Sequence, residues 1–164
     1  MKPAPISIPP HLATRIPAET AVCIVGVGET ALLSEPLLGL ISSRECPGHI
    51  LIETLERVPQ WVQADRVVIS GFHAPLEQQV LRSLLRREGR AVKVLARGVM
   101  DYRPTVEEQE PLAQGRLLIL SALPPKTKRT TRETALQRNH LVRQLSAEVC
   151  TPYIAPGSLF MLGR

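Results

Sequence analysis

Two groups of residues, far apart in the chain, carry side chains suited to binding a phosphate. They are Ser42-Ser43-Arg44 and Arg138-Asn139-His140. An arginine offers a bidentate partner to a phosphate, and an asparagine adds amide donors. We place Arg138 and Asn139 at the head of an apolar-periodic helix, where free backbone N–H groups also favour anions. The two groups therefore predict one anion site at which Ser43, Arg44, Arg138 and Asn139 converge.

The elements that must position these residues alternate between strands and helices. Apolar patterning predicts strands at residues 21–25, 37–42, 66–70, 91–95, 116–120 and 148–154, and helices at 49–63, 74–88 and 131–146. Single helical turns are expected at 29–34 and 106–112, and Pro59 is expected to kink or end its helix. Strands and helices that alternate over short links favour parallel pairing. The sequence predicts an α/β fold, a Rossmann-like, mostly parallel sheet flanked by helices.

Small and polar residues follow the predicted strands, at the edge where open α/β sheets bind ligands. They are Ser42-Ser43-Arg44, Ser70-Gly71-Phe72-His73, Arg97-Gly98, Ser121 and Gly157-Ser158. Such residues let a phosphate approach backbone N–H groups, although a sharp turn from strand to helix also requires small residues. We expect a core or helix-cap role for His73, with ligand contact as the alternative. For Glu77, one helical turn later, we expect a solvated carboxylate, with a pairing to His73 as the alternative.

The formal net charge of +5 is unevenly distributed along the chain. The basic excess lies in residues 126–143, and its members are Lys126, Lys128, Arg129, Arg132, Arg138 and Arg143. This pattern is typical either of a solvated surface or of a groove that attracts a polyanion. Aromatic residues make up only 3% of the chain, which argues against an aromatic platform that stacks single-stranded bases.

Several classes of site lack a signature in the sequence. The three cysteines are widely spaced, so they fit neither a disulfide framework nor zinc ligation, and the four histidines are scattered. Gly26-Val27-Gly28 lacks the third glycine of a dinucleotide-binding loop. We therefore predict no catalytic residues, no metal and no cofactor. Without a long apolar run or a signal core, we also expect a cytoplasmic protein with no membrane partner.

The first residues of the chain differ in composition from the rest. Proline occurs at positions 3, 5, 9, 10 and 17. Because proline disfavours a helix interior, we expect residues 1–18 to form an extended arm without a helix or core residues. Residues 19–164 are then expected to form a single domain.

The order of these motifs resembles the DprA/Smf family (DNA-processing protein A) over roughly residues 20 to 160. In that family the first loop reads Gly-Ser-Arg and the late helix reads Arg-Asn-Arg. Ser42-Ser43-Arg44 and Arg138-Asn139-His140 stand in those places. Family members follow Ser-Gly with Leu-Ala-x-Gly-Ile-Asp, whereas this chain continues from Ser70-Gly71 to Glu77 without a Gly-Ile-Asp element. The family also continues beyond the match to Gly157-Ser158-Leu159, so we expect a trimmed member.

The resemblance implies a single-stranded DNA-binding protein of DNA processing and recombination that binds phosphates without catalysis. Its expected binding residues are Ser42, Ser43, Arg44, Ser70, Gly71, Lys126, Lys128, Arg129, Arg138, Asn139, Gly157 and Ser158. The expected partners are single-stranded DNA or another phosphate-bearing ligand, a recombinase, and a second copy of the chain. The alternatives are a nucleotide-binding or nucleotide-processing domain similar to the LOG phosphoribohydrolases, and a protein-interaction scaffold.

Overall fold

The structure of the chain is a computed structural model that describes residues 2–156. Its sheet has the strands β1 (Ala4–Pro5), β2 (Val25–Gly28), β3 (Leu37–Leu40), β4 (Val67–Ser70), β5 (Arg90–Val94), β6 (Leu117–Ser121) and β7 (Glu148–Cys150). They lie in the order β1-β2-β6-β5-β4-β3-β7. Strands β3 to β7 pair in parallel, while β1 and β2 add an antiparallel edge beside β6. The predicted α/β, mostly parallel sheet is confirmed.

Helices cover both faces of this sheet. They are α1 (Pro10–Ala13), α2 (Ala18–Ala21), α3 (Gly48–Gln63), α4 (Pro75–Arg86), α5 (Val106–Ala113) and α6 (Arg132–Leu145), with a 3-10 helix at Thr30–Ser34. Successive strand residues point to opposite faces, so Val68 packs in the core under α3, α4 and α5, while Val67 and Ile69 pack in the core under α6. Within residues 2–156, no helix is long and apolar enough to cross a membrane.

Three predicted elements have wrong bounds. The strand predicted at 21–25 is found at Val25–Gly28, because Ala21 ends helix α2 and both glycines pair within the sheet. Helix α3 continues through Pro59, because Val58 and Trp61 on either side are buried in the core and hold the helix despite the missing N–H. Strand β7 ends at Cys150 rather than at residue 154. The backbone beyond it turns to Ser43, whose N–H donates to the Tyr153 carbonyl at 2.8 Å.

The N-terminal segment is part of the packed fold. Ala4 and Pro5 pair with β2, and Ile6, Leu12 and Ile16 are all buried in the core under α6. The expectation of an arm without a helix or core residues is wrong, since Pro10 occupies the first position of α1, where a missing N–H is tolerated. The boundary at residue 18 stays a prediction.

The glycines of Gly26-Val27-Gly28 serve packing within the sheet. Both lie inside β2, and the 3-10 helix Thr30–Ser34 follows, not an α-helix whose N-terminus would face a ligand. A Cβ on Gly26 would lie 2.8 Å from the Ile119 carbonyl oxygen, so the neighbouring strand leaves no space for a side chain. This arrangement agrees with the missing third glycine of a dinucleotide loop.

Candidate phosphate-binding site

The carboxyl ends of β4 and β5 open into a polar cavity of about 210 Å³. Ser70 pairs with Lys93 in the ladder, so these two strands end side by side. The residues around the cavity include Gly71, His73, Lys93, Arg97, Tyr102 and Arg138. Sequence reasoning placed Gly71 and Arg138 in a binding site and named Arg97 only as a residue at a strand end, whereas it did not select Lys93 or Tyr102.

Arg138 lies across the backbone of Gly71. A Cβ built on Gly71 would stand only 2.4 Å from Nε and 2.7 Å from Cζ of Arg138. The Arg138 side chain is buried, and its Nε donates to the Oδ1 of Asn139 at 3.2 Å. Among residues 2–156, its terminal Nη atoms have no hydrogen-bond acceptor, and it forms no salt bridge. Arg138 is therefore a largely buried cation whose terminal donors have no protein partner in the described residues and keep some contact with solvent.

The electrostatic environment of Arg138 follows from this burial. Desolvation lowers the pKa of Arg138, and the nearby carboxylate of Glu77 offsets part of the shift. Glu77 does not lie within salt-bridge distance, so the offset comes without direct contact. An anion that reaches the cavity would provide the missing counter-charge for the guanidinium.

The position of Arg138 within its helix differs from our expectation. Helix α6 begins at Arg132 and is capped by Thr131, whose Oγ1 accepts the Thr134 N–H at 3.1 Å. Arg138 and Asn139 lie about two turns further on, where backbone N–H groups are already bonded within the helix. The prediction of a helix start at Arg138 is wrong. Its place at the cavity depends on its long side chain alone.

Three cations surround His73 at the edge of the cavity. Burial lowers the pKa of His73 most, and the positive charges of Arg138, Arg44 and Lys93 lower it further. Arg44 is exposed in the loop after β3, Arg138 comes from α6 and Lys93 from β5. The tertiary structure thus brings Arg44 and Arg138 into electrostatic range of one side chain. His73 as a whole residue is exposed and its side chain is only partly desolvated, so the expected core role is wrong and ligand contact stays a prediction.

Glu77 is not the solvated carboxylate that the sequence suggested. Its side chain is only 2% exposed. Oε1 accepts the N–H groups of His73 and Ala74 at 3.0 and 3.2 Å, and Oε2 accepts the Ser42 N–H at 2.9 Å. Burial raises its pKa, while these bonds and Arg138 counteract the rise.

A second buried network supports the far wall of the cavity. Lys93 Nζ donates to Glu108 Oε2 at 2.8 Å and to the Tyr102 hydroxyl at 2.9 Å, while that hydroxyl donates to Glu108 Oε1 at 2.6 Å. The Arg97 guanidinium lies 5.3 Å from the centre of the Tyr102 ring. Burial and Glu108 raise the pKa of Tyr102 far above its ordinary value, so the phenol stays protonated. A lysine inside an otherwise apolar strand was the one sequence signal for this network.

Glu108 makes a testable contribution to stability. Burial alone would raise its pKa, but the bonds from Lys93, Tyr102 and Thr105 outweigh burial and lower it below the ordinary 4.5. A lowered folded-state pKa gives stability that is present above the unfolded-state pKa and is lost as the pH falls through the folded one. We expect Glu108→Gln to lower the free energy of unfolding at pH 7 by about 2 kcal/mol. Below pH 4.5 the gap to wild type should narrow in urea titrations; a constant gap would contradict this assignment.

The predicted serines mainly hold the protein's own backbone. Ser43 Oγ accepts the Ala155 N–H at 2.6 Å, and Ser42 Oγ donates to the Tyr153 carbonyl at 3.4 Å. Ser70 Oγ accepts the Phe72 N–H at 3.0 Å and so supports the left-handed turn at Phe72, whose φ is 48°. All three serines are buried. Their contact with a phosphate stays a prediction.

The predicted basic loop lies at the same edge of the sheet. Lys126, Lys128 and Arg129 are exposed between β6 and α6. The loop is fastened to the end of β5, because the Gly98 N–H donates to the Thr127 carbonyl at 2.8 Å. Thr130, at the end of this loop, lines the cavity. The last two predicted residues, Gly157 and Ser158, lie outside the described residues.

Comparison with known proteins assigns the family. The model of a family described as DNA recombination-mediator protein A matches residues 7–152. The chain belongs to this family. No curated protein matches the sequence. The resemblance expected from the order of the motifs is therefore confirmed.

Two solved structures show the fold of the family. DNA processing protein A from Streptococcus pneumoniae matches with a TM-score of 0.69 at 18% identity over 91% of this chain and 54% of that chain. DNA processing protein A from Helicobacter pylori, whose structure was described for its single-stranded DNA binding mode, matches with a TM-score of 0.69 at 22% identity. That match covers 85% of this chain and 64% of the other. This chain therefore spans less than two thirds of either protein.

Proposed function

We propose that the chain binds single-stranded DNA at the carboxyl edge of its sheet, with a backbone phosphate seated against Arg138. The observation that carries this proposal is the buried Arg138 guanidinium, which faces the cavity without a carboxylate partner among the described residues. A buried cation is unfavourable unless it is paired. A phosphate offers the bidentate acceptor geometry that an arginine side chain matches best.

The distribution of the basic residues favours a strand over a single nucleotide. Arg44 follows β3, Arg97 follows β5, and the Lys126–Arg129 loop follows β6. The side chain of Arg138, which belongs to α6, lies over Gly71 in the turn after β4. Four adjacent strands span three spacings, roughly 14 Å in total. This distance is longer than one phosphate group, so the edge fits a backbone with several phosphates. The Helicobacter pylori relative, described for binding single-stranded DNA, supports the same ligand class.

The proposed binding involves no chemical reaction. No carboxylate is among the described residues that line the cavity. The nearby buried carboxylates of Glu77 and Glu108 are already occupied by hydrogen bonds from the protein. His73 at the cavity edge is a proton-accepting group, so the proposal of binding without catalysis rests on the family resemblance. A recombinase and a second copy of the chain are further proposed partners, which rest on the family resemblance.

Binding should depend strongly on salt and little on base sequence. We expect labelled oligonucleotides to bind in fluorescence-anisotropy titrations, with log K falling by about 0.7 per log unit of salt for each phosphate contact. Weak sequence preference follows because the cavity presents few groups for reading bases. Salt-independent binding would contradict the proposal. Tighter binding of a mononucleotide than of an oligonucleotide would favour a nucleotide-binding function instead.

A further inference from the structure

The loops after β3 and β4 are joined through one buried side chain. Glu77, in the first turn of α4, uses Oε2 for the Ser42 N–H and Oε1 for the N–H groups of His73 and Ala74. Ser42 stands two residues before Arg44, while His73 follows the glycine on which Arg138 lies. The carboxylate therefore bridges the two segments that carry candidate phosphate contacts.

We propose that Glu77 is the positioning residue of the DNA-binding edge. It holds the Arg44 loop and the His73 turn in fixed positions relative to each other and to Arg138. The inference rests on the proposed function, because it concerns the same site. The Glu77 carboxylate is bonded to backbone N–H groups, and the residue is only 2% exposed. It therefore acts through the two loops that it holds and not by contact with DNA.

The hydrogen bonds of the bridge require a carboxylate, because an amide of the same shape would not satisfy them. Each of its two oxygens faces at least one N–H donor, so both ends of the group must accept. A glutamine has nearly the same shape, but its amide end carries two donors. In either orientation of the amide, one loop would meet an N–H group in place of an acceptor. The buried N–H left without a partner would then displace that loop.

Electrostatic attraction alone makes the opposite prediction. Three backbone N–H donors face the Glu77 carboxylate and favour its charged form. DNA is a polyanion, so removal of this charge should tighten binding if only long-range attraction mattered. The positioning role predicts weaker binding instead. The sign of the change therefore distinguishes the two explanations.

The test compares Glu77→Gln with wild type in anisotropy titrations on one single-stranded oligonucleotide. We expect affinity to fall on the order of tenfold. Glu53→Gln is the matched control, because it removes the same charge from an exposed position on α3 and should bind at least as tightly as wild type. Glu77→Asp keeps the charge and both acceptor oxygens, but its shorter side chain reaches both loops less well, so it should bind more weakly than wild type. Equal or tighter binding by Glu77→Gln than by wild type would overturn the proposal.

Hydrogen exchange on the wild-type protein provides a test that does not depend on the folding of a variant. The amides of Ser42, His73 and Ala74 share one acceptor group, so they should open with similar free energies. Addition of the oligonucleotide should slow the exchange of all three together. If the opening free energies of the three amides differ widely, or if the oligonucleotide does not change them, the two loops do not open as one unit.

Failure of this inference is distinguishable from failure of the proposed function. If the wild-type chain does not bind the oligonucleotide at all, the proposed function is wrong. If the wild type binds and Arg138→Ala weakens binding, but Glu77→Gln does not, the DNA site stands and only the role of Glu77 is rejected.

Discussion

Replacement of Arg138 by alanine should lower the affinity for single-stranded DNA about ten- to a hundredfold, which corresponds to the 1.5 to 3 kcal/mol of a charge-assisted hydrogen bond. The large effect follows from burial. Arg138 as a whole is 7% exposed, so its bond to a phosphate is less screened by water and salt than that of a surface arginine. Anisotropy titrations of wild type and variant at one salt concentration measure the change, and thermal unfolding establishes that both are folded.

Arg143→Ala is the matched control for Arg138→Ala. It removes the same charge from the same helix, but Arg143 is more exposed and lies outside the cavity lining. A surface charge contributes a few tenths of a kcal/mol, so we expect a less than threefold change. If both variants lost affinity equally, attraction would be diffuse and Arg138 would be only one of many surface charges.

Gly71→Ala should weaken DNA binding about tenfold or more while the protein remains folded. The added Cβ would stand 2.4 Å from Nε and 2.6 Å from Cδ of Arg138, closer than non-bonded atoms approach. The obstructed atoms belong to a long side chain, which rotates away more easily than backbone moves. Alanine at position 71 therefore displaces the guanidinium from the cavity. Titration with the oligonucleotide, combined with a thermal melt, separates lost binding from lost folding.

A double-mutant cycle identifies the cause of the Gly71 effect. If alanine at position 71 acts by displacing Arg138, the variant with both changes should bind as weakly as Arg138→Ala alone. Fully additive losses would mean that Gly71 contributes by another route, such as its own backbone contact with the ligand. Gly48→Ala is the control glycine, because its added Cβ would meet nothing within 4 Å, and it should bind like wild type.

The local pattern of the chain was sufficient to predict most secondary structure. The expected strand at 66–70 and helix at 131–146 correspond closely to β4 (Val67–Ser70) and α6 (Arg132–Leu145). Apolar periodicity indicates which side of an element is buried. It can therefore be read from the sequence without knowing which element packs against that side. Alternation of such elements then determined the parallel sheet, and the order of the motifs indicated the family.

Long-range packing decided what the local pattern did not contain. The prolines of the N-terminal segment predicted an extended arm without core residues. In the structure, Ile6 and Leu12 pack into a core formed by strands and a helix far along the chain. Lys93 and Glu108 are separated by an irregular connection, so their salt bridge exists only because α5 folds back onto β5. Neither of these long-range contacts produces a periodic pattern in the sequence.

The candidate site shows the same division. The sequence by itself selected Arg138 and Gly71, because residue type and position after a strand are local properties. It placed Arg138 at the wrong part of its helix and took Glu77 for a solvated carboxylate. Only the tertiary structure decided that the guanidinium lies over Gly71 and that Glu77 accepts three N–H groups from two loops. The reason is physical: burial and hydrogen-bond partners depend on which distant segments meet, and a single sequence does not encode that meeting in any local spacing.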